Sequence, residues 1–210
     1  MKNKLRFILK KIPFFYSICE KLGIVGRLFL LRRLPKNSIG IEIGVYEGDF
    51  SAQILKVVNP RKLYLVDPWE AQGGEMKDSW FGTEKTGGQS AMDARFDEVA
   101  ARFKSEIGSG IVELVRNYSD AAVSKFEDNS VDWVYIDGNH LYEYVKKDLE
   151  LYFSKIKEGG LITGDDYNDG GWWKDGVKKA VDEFVEYGYA EVVKLRGNQF
   201  ILRRLSRHKL

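Results

Sequence analysis

The segment Ile39-Gly-Ile-Glu-Ile-Gly44-Val-Tyr-Glu-Gly48-Asp-Phe-Ser51 decides how the rest of the chain is read. Ile39–Ile43 is an apolar, β-rich run, and the pattern from Asp49 to Val58 is helical, so a strand passes through a glycine turn into a helix. Gly44 and Gly48 allow the backbone to turn tightly and approach a ligand in front of a helix N-terminus. The turn matches neither G-x-G-x-x-G nor G-x-x-x-x-G-K. Glu42, Glu47 and Asp49 crowd it with negative charge, which repels a pyrophosphate and suits a cationic ligand such as a sulfonium or an ammonium.

The same rhythm continues on the C-terminal side. Strands are expected at Lys62–Val66, Ile111–Val115, Val131–Ile136 and Leu161–Thr163. Helices are expected at about Met92–Ile107, Ser119–Phe126, Leu141–Phe153 and Gly176–Tyr187. Ala190–Leu195 and Gln199–Arg203, joined by Arg-Gly-Asn, form a hairpin that makes one edge strand antiparallel. Alternating strands and helices imply right-handed crossovers and an α/β fold, a mostly parallel sheet with helices on both faces. The polar, Gly-rich stretch 69–90 is too long for an ordinary connection and is expected to act as a lid. The expected organisation is a basic amphipathic helical leader (1–35), one domain (36–205) carrying the lid, and a basic tail (206–210).

Composition removes several classes. With 210 residues the chain is long enough for one domain, and a single cysteine, Cys19, rules out a disulfide framework or multi-cysteine metal site. Only two histidines, His140 and His208, are present, and no apolar run approaches a membrane span. A cytoplasmic location is expected. The net charge of +2 conceals a leader with nine Lys or Arg against the single acid Glu20, so the remainder is net acidic. That argues against a nucleic-acid partner. It leaves the leader to pack on its own domain or on a second copy in a homo-oligomer, or to contact the periphery of an anionic membrane.

In open α/β sheets, ligands sit at the carboxyl ends of the strands. Strand two ends in Asp67, 19 residues beyond Gly48, placed to accept hydrogen bonds from both hydroxyls of a ribose or, alternatively, to cap the turn before Pro68. Ser119 and Asp120 open the helix after strand three, where an N-cap and a contact to adenine are equally open. Asp137, Asp165 and Asp166 end strands four and five; as neighbours they would repel one another unless a cation intervenes, and oxygen ligands suit Mg²⁺. The alternative is that Asp166 and Asp169 are turn or capping residues. His140, three residues past Asp137, is either structural or a base for a substrate hydroxyl.

Together, Ile41–Gly48, Asp67, Asp137-Gly138-Asn139-His140, Gly159-Gly160-Leu161-Ile162 and Asp165-Asp166 resemble class I S-adenosylmethionine-dependent methyltransferases, and most of all the macrocin O-methyltransferase group, relatives of the catechol O-methyltransferases. The resemblance covers about residues 38–187 and implies a Rossmann-like seven-stranded sheet with an antiparallel terminal strand. It implies S-adenosylmethionine as cofactor, with Glu42, Gly44 and Gly48 at its methionine part, Asp67 at the ribose, and Ser119 and Asp120 near the adenine. It also implies Mg²⁺ on Asp137, Asp165 and Asp166, with Asp137 and His140 catalytic and His140 the base. The partner is then a small hydroxylated acceptor, a sugar of a glycoside or glycan, with Trp172 and Trp173 placed to stack on a ring or to pack in the core. Asn139 stands where the family often has an acid. Trp80 and Phe81, in the lid, have no counterpart in the resemblance. Competing readings are a metal-independent N- or O-methyltransferase and an inactive cofactor-binding adaptor. Tyr142 and Lys146 match the Tyr-x-x-x-Lys pair of short-chain dehydrogenases, but the glycine fingerprint such enzymes need is absent.

Overall fold

The computed structural model describes residues 24–71 and 87–206. The leader before residue 24 (with Cys19), the lid segment 72–86 (with Trp80 and Phe81) and residues 207–210 (with His208) lie outside the described residues. The elements are α1 (Ile24–Leu31), β1 (Ile39–Ile43), α2 (Asp49–Val58), β2 (Lys62–Asp67), α3 (Gly88–Arg102), α4 (Lys104–Gly108), β3 (Val112–Arg116), α5 (Ser119–Ala122), β4 (Val131–Ile136), α6 (Tyr142–Phe153), β5 (Ile156–Gly164), α7 (Gly176–Glu186), β6 (Ala190–Arg196) and β7 (Gln199–Arg204).

The seven strands form one sheet in the order β3-β2-β1-β4-β5-β7-β6. β3 through β5 are parallel, and β7 runs against both its neighbours. The terminal strand β7 is antiparallel, as expected; it is inserted between β5 and β6, so β6, paired antiparallel to β7, forms the edge. The burial pattern explains this order. Gln199-Phe-Ile-Leu202 is buried throughout, whereas β6 exposes most of its side chains, including Val192 and Leu195.

Residues alternate between two packed layers, as the two-residue period of a strand requires. Ile41, Ile43, Val134, Ile136, Phe200 and Leu202 pack beneath α6 and α7. Leu63, Leu65, Trp133, Tyr135 and Ile201 pack beneath α1, α2 and α3 on the other face. Leu30 and Leu31 of α1 are fully buried in that second layer.

Three boundaries differ from the sequence expectation. The helix expected at 92–107 begins earlier, at Gly88, and is split into α3 and α4 at Phe103, whose backbone leaves helical geometry (φ −103°, ψ 21°) while its ring is buried. β5 starts at Ile156: its pairing with β4 is interrupted by a bulge spanning the polar residues Lys157–Gly160, which hide the strand from an apolar pattern. The helix expected at 119–126 is one α-turn followed by a 3₁₀ turn.

Candidate active site

Strand register assembles the site. Ile43 lies opposite Val66 on one side and Ile136 on the other, and Ile136 lies opposite Gly164. The last residue of β2, Asp67, and the residues that follow the other three strands, Gly44, Asp137 and Asp165, are thereby brought to one end of the sheet. Four residues scattered over 122 positions become neighbours because parallel strands share an end.

The glycine turn is pinned on both sides. Gly44 has φ +89°, and a Cβ there would lie 2.1 Å from the carbonyl oxygen of Asp137. Gly48 has φ +74°, and a Cβ would lie 2.8 Å from the Phe103 ring. Any other residue at Gly44 would therefore suffer both backbone strain and collision with the exit of β4. Asp67, 9% exposed, holds the turn from the other side. One carboxylate oxygen accepts the N–H groups of Val45 (2.9 Å) and Tyr46 (3.0 Å), and the other accepts that of Trp69 (2.7 Å). Burial pushes the Asp67 carboxyl up, against the opposing pull of the three N–H groups. Beneath the turn, Glu42 is buried with its carboxylate accepting from the Ser51 hydroxyl at 2.6 Å; burial, only partly offset by Ser51, pushes it up to about 8.

At the ends of β4 and β5 three carboxylates converge on two basic side chains. Arg27 of α1 donates to Asp165 (2.7 Å) and to Asp137 (3.0 Å). The other Asp165 oxygen accepts the Asp166 N–H at 2.8 Å and the Gln199 side-chain amide, and the Gln199 oxygen accepts the buried Tyr135 hydroxyl at 3.1 Å. Burial and the neighbouring Asp137 raise Asp165 to about 6, with Arg27 opposing. His140 lies between the remaining groups, Nε2 at 3.5 Å from Asp137 and Nδ1 at 3.4 Å from Asp166. These separations are charge contacts rather than hydrogen bonds. Burial would lower the His140 pKa, but Asp137, Asp166 and Asp165 outweigh it and hold the pKa above its ordinary 6.5. Trp172 stacks beside the imidazole at 6.0 Å between ring centres, and Trp173 meets it edge-on at 4.9 Å.

Sequence reasoning missed Arg27 and Gln199. Arg27 appeared there only as one of the leader's basic residues, 110 positions from Asp137. Ser119 and Asp120 are placed apart from the cluster. The Ser119 hydroxyl donates to Asp148 of α6, and Asp120 pairs with Lys147 at 2.6 Å. Neither lines the depression of about 350 Å³ at the ends of β2 and β3, which is bounded by Pro68, Trp69, Glu70, Gln89, Arg116, Asn117 and Tyr118.

The sequence profile of the methyltransferase-domain family matches residues 41–167, which run from the first strand to just past the Asp165-Asp166 pair. The chain belongs to the methyltransferase-domain family. Uncharacterized protein R132 of Acanthamoeba polyphaga mimivirus is 27% identical over 148 residues, covering 69% of this chain and 58% of that protein, so the chain spans little more than half of its length. Among solved structures, the O-methyltransferase NovP superposes with a TM-score of 0.55 at 18% identity, covering 86% of this chain and 80% of NovP. The N-methyltransferase NodS from Bradyrhizobium japonicum, in complex with S-adenosyl-L-homocysteine, gives 0.57 at 13%, covering 86% and 87%. At such identity the likeness is one of fold, shared by enzymes that methylate oxygen and nitrogen. The class I methyltransferase family expected from the strand-end motifs is borne out, and these matches do not single out the macrocin group within it. Among the described residues no helix is long and apolar enough to cross a membrane.

The site differs in fit toward the two cofactors the resemblance implies. For S-adenosylmethionine the donors suit. Asp67 keeps a lone pair on the oxygen facing Trp69, the depression beside it offers the exposed aromatic ring of Tyr118 for a base, and Glu42 supplies latent negative charge under the turn. For Mg²⁺ they do not. Asp137, His140 and Asp166 bring potential ligand atoms within 4.8 Å of one another. However, the imidazole turns a different nitrogen to each carboxylate, and Asp165 is saturated by protein donors. Mg²⁺ requires a near-octahedral set of oxygens at about 2.0–2.1 Å, and this arrangement does not present one.

Proposed function

We propose that the protein is an S-adenosylmethionine-dependent O-methyltransferase acting on a hydroxyl of a small molecule, with a sugar of a glycoside or glycan as the acceptor class. The observation that carries this reading is the placement of the His140–Asp137 pair against Gly44, since Asp137 is the residue whose backbone a Gly44 Cβ would strike. The turn suited to the cofactor and the imidazole suited to the acceptor thus share one strand end. S-adenosylmethionine, when bound, supplies an electrophilic methyl group on a sulfonium and leaves as a neutral thioether.

The residues of the chain have separate tasks. Asp67 orients a ribose through its remaining lone pair while fixing the turn. Glu42 lies close to half-protonated near pH 8, and a cationic ligand above the turn favours its carboxylate. His140 in its neutral form accepts the proton of the acceptor hydroxyl as the oxygen attacks the methyl carbon. Asp137 and Asp166 then stabilise the imidazolium so formed. Trp172, beside His140, offers a flat apolar face to a pyranose ring, while Trp173 meets His140 edge-on and packs against the core. The alternative, methylation of nitrogen, needs the carboxylates free to hold an amine, and Arg27 already engages two of the three.

The expected result is transfer of labelled methyl from S-adenosylmethionine to members of a panel of glycosides and vicinal diols, with the product's methyl on oxygen by NMR. Labelling of amines with no labelling of any hydroxyl compound would replace this reading by the nitrogen one.

A further inference from the structure

A cluster of three carboxylates at the end of a parallel sheet needs positive charge, and here the chain supplies it. Arg27 bridges Asp165 and Asp137, and its guanidinium lies over the Phe50 ring, 5.3 Å from the centre. The contact is supported from both directions. On the arginine side, α1 is anchored by Leu30 and Leu31, both fully buried. On the carboxylate side, Asp165 is held by Gln199 and the Asp166 N–H, and Gln199 is held by the buried Tyr135 hydroxyl. A chain of buried hydrogen bonds ending on the carboxylate that receives Arg27 is a receptor for a fixed cation, in the way that outer hydrogen bonds orient the ligands of a metal. Tyr135 and Gln199 come from β4 and β7, so the insertion of β7 beside β5 is what completes this receptor.

We propose that Arg27 takes the place of a divalent cation in this site. Resting on the methyltransferase reading, the inference makes Arg27 a positioning residue. It neutralises Asp137 and Asp165, keeps Asp137 aimed at His140, and lets the acceptor end work without Mg²⁺. Arginine suits the role because its charge is permanent and its planar fork engages two carboxylates at once.

The test is binding of Mn²⁺ to the full chain, followed by electron paramagnetic resonance, with S-adenosylhomocysteine binding measured on the same samples. Wild-type protein is expected to show no saturable Mn²⁺ site at sub-millimolar concentration. Arg27→Met is expected to gain one, at least about tenfold tighter than any wild-type binding, because it uncovers the carboxylates. Asp137→Asn added to Arg27→Met should abolish that site, and Arg27→Lys should restore exclusion of the ion. If Arg27→Met does not fold, Arg27→Gln, which keeps donors but removes the charge, takes its place. Micromolar Mn²⁺ binding by wild type that Asp137→Asn removes would overturn the proposal, as would a folded neutral variant at Arg27 that binds no Mn²⁺. In either case intact S-adenosylhomocysteine binding leaves the methyltransferase reading standing, whereas loss of that binding in wild type counts against the reading itself.

Discussion

Asp67→Ala is expected to destabilise the protein by about 3–5 kcal/mol, the sum of leaving three largely buried N–H groups without their acceptor. The donors are Val45, Tyr46 and Trp69, and together they tie the turn after β1 to the exit of β2. The rim position of the turn allows only partial rescue of these donors by water. Asp67→Asn should be milder, since the amide retains one acceptor oxygen, yet its NH₂ must then face N–H donors. Urea unfolding reads the stability change. Titration with S-adenosylhomocysteine under conditions where the variant remains folded reads the second effect, a loss of about 1–3 kcal/mol, or a factor of roughly 5 to 150 in affinity, from the missing ribose acceptor. Unchanged stability would remove the pinning role, and unchanged affinity of the folded variant would remove the ribose role, so the two functions of one carboxylate are separable.

His140→Ala is expected to lower turnover by about 10²–10⁴-fold, the contribution of a positioned general base, while S-adenosylhomocysteine affinity stays within about twofold of wild type. The pH profile carries the sharper signature. A base works only when unprotonated, so turnover should rise with pH through the His140 pKa, which its carboxylate neighbours hold above 6.5. Asp166→Asn removes one of those negative charges and should move the rising limb to lower pH. In His140→Ala that limb should vanish. A limb that persists unchanged in His140→Ala would assign the base elsewhere.

The two halves of this site were unequally visible in the sequence. β1, α2 and β4 lie where local pattern places them, because each is an uninterrupted apolar or amphipathic run bounded by glycine, proline or acid. Once those strands are parallel, the convergence of Gly44, Asp67, Asp137 and Asp165 follows from register alone. What local pattern could not show was which side chains finish the cluster. Arg27 reaches it from a helix 138 residues before Asp165, and a basic residue in a basic leader carries no mark of a special partner. Gln199 is likewise an ordinary residue at the start of a hairpin strand. The hairpin signal shows that β6 and β7 pair, but not which of them joins β5; the buried run of β7 against the polar face of β6 decides that in the fold. The roles of Ser119 and Asp120 were open in the sequence for a related reason. Both are polar at a helix start, and only the approach of α6 turns them toward Asp148 and Lys147.

In this reading the strand-end turn formed by Gly44, Gly48 and Asp67 is a cofactor site. Calorimetric titration of the purified chain with S-adenosylhomocysteine tests it most directly. Saturable binding of one ligand per chain with micromolar affinity is expected, weakened in the folded Asp67→Ala variant; no binding heat from well-folded wild-type protein would rule the cofactor site out.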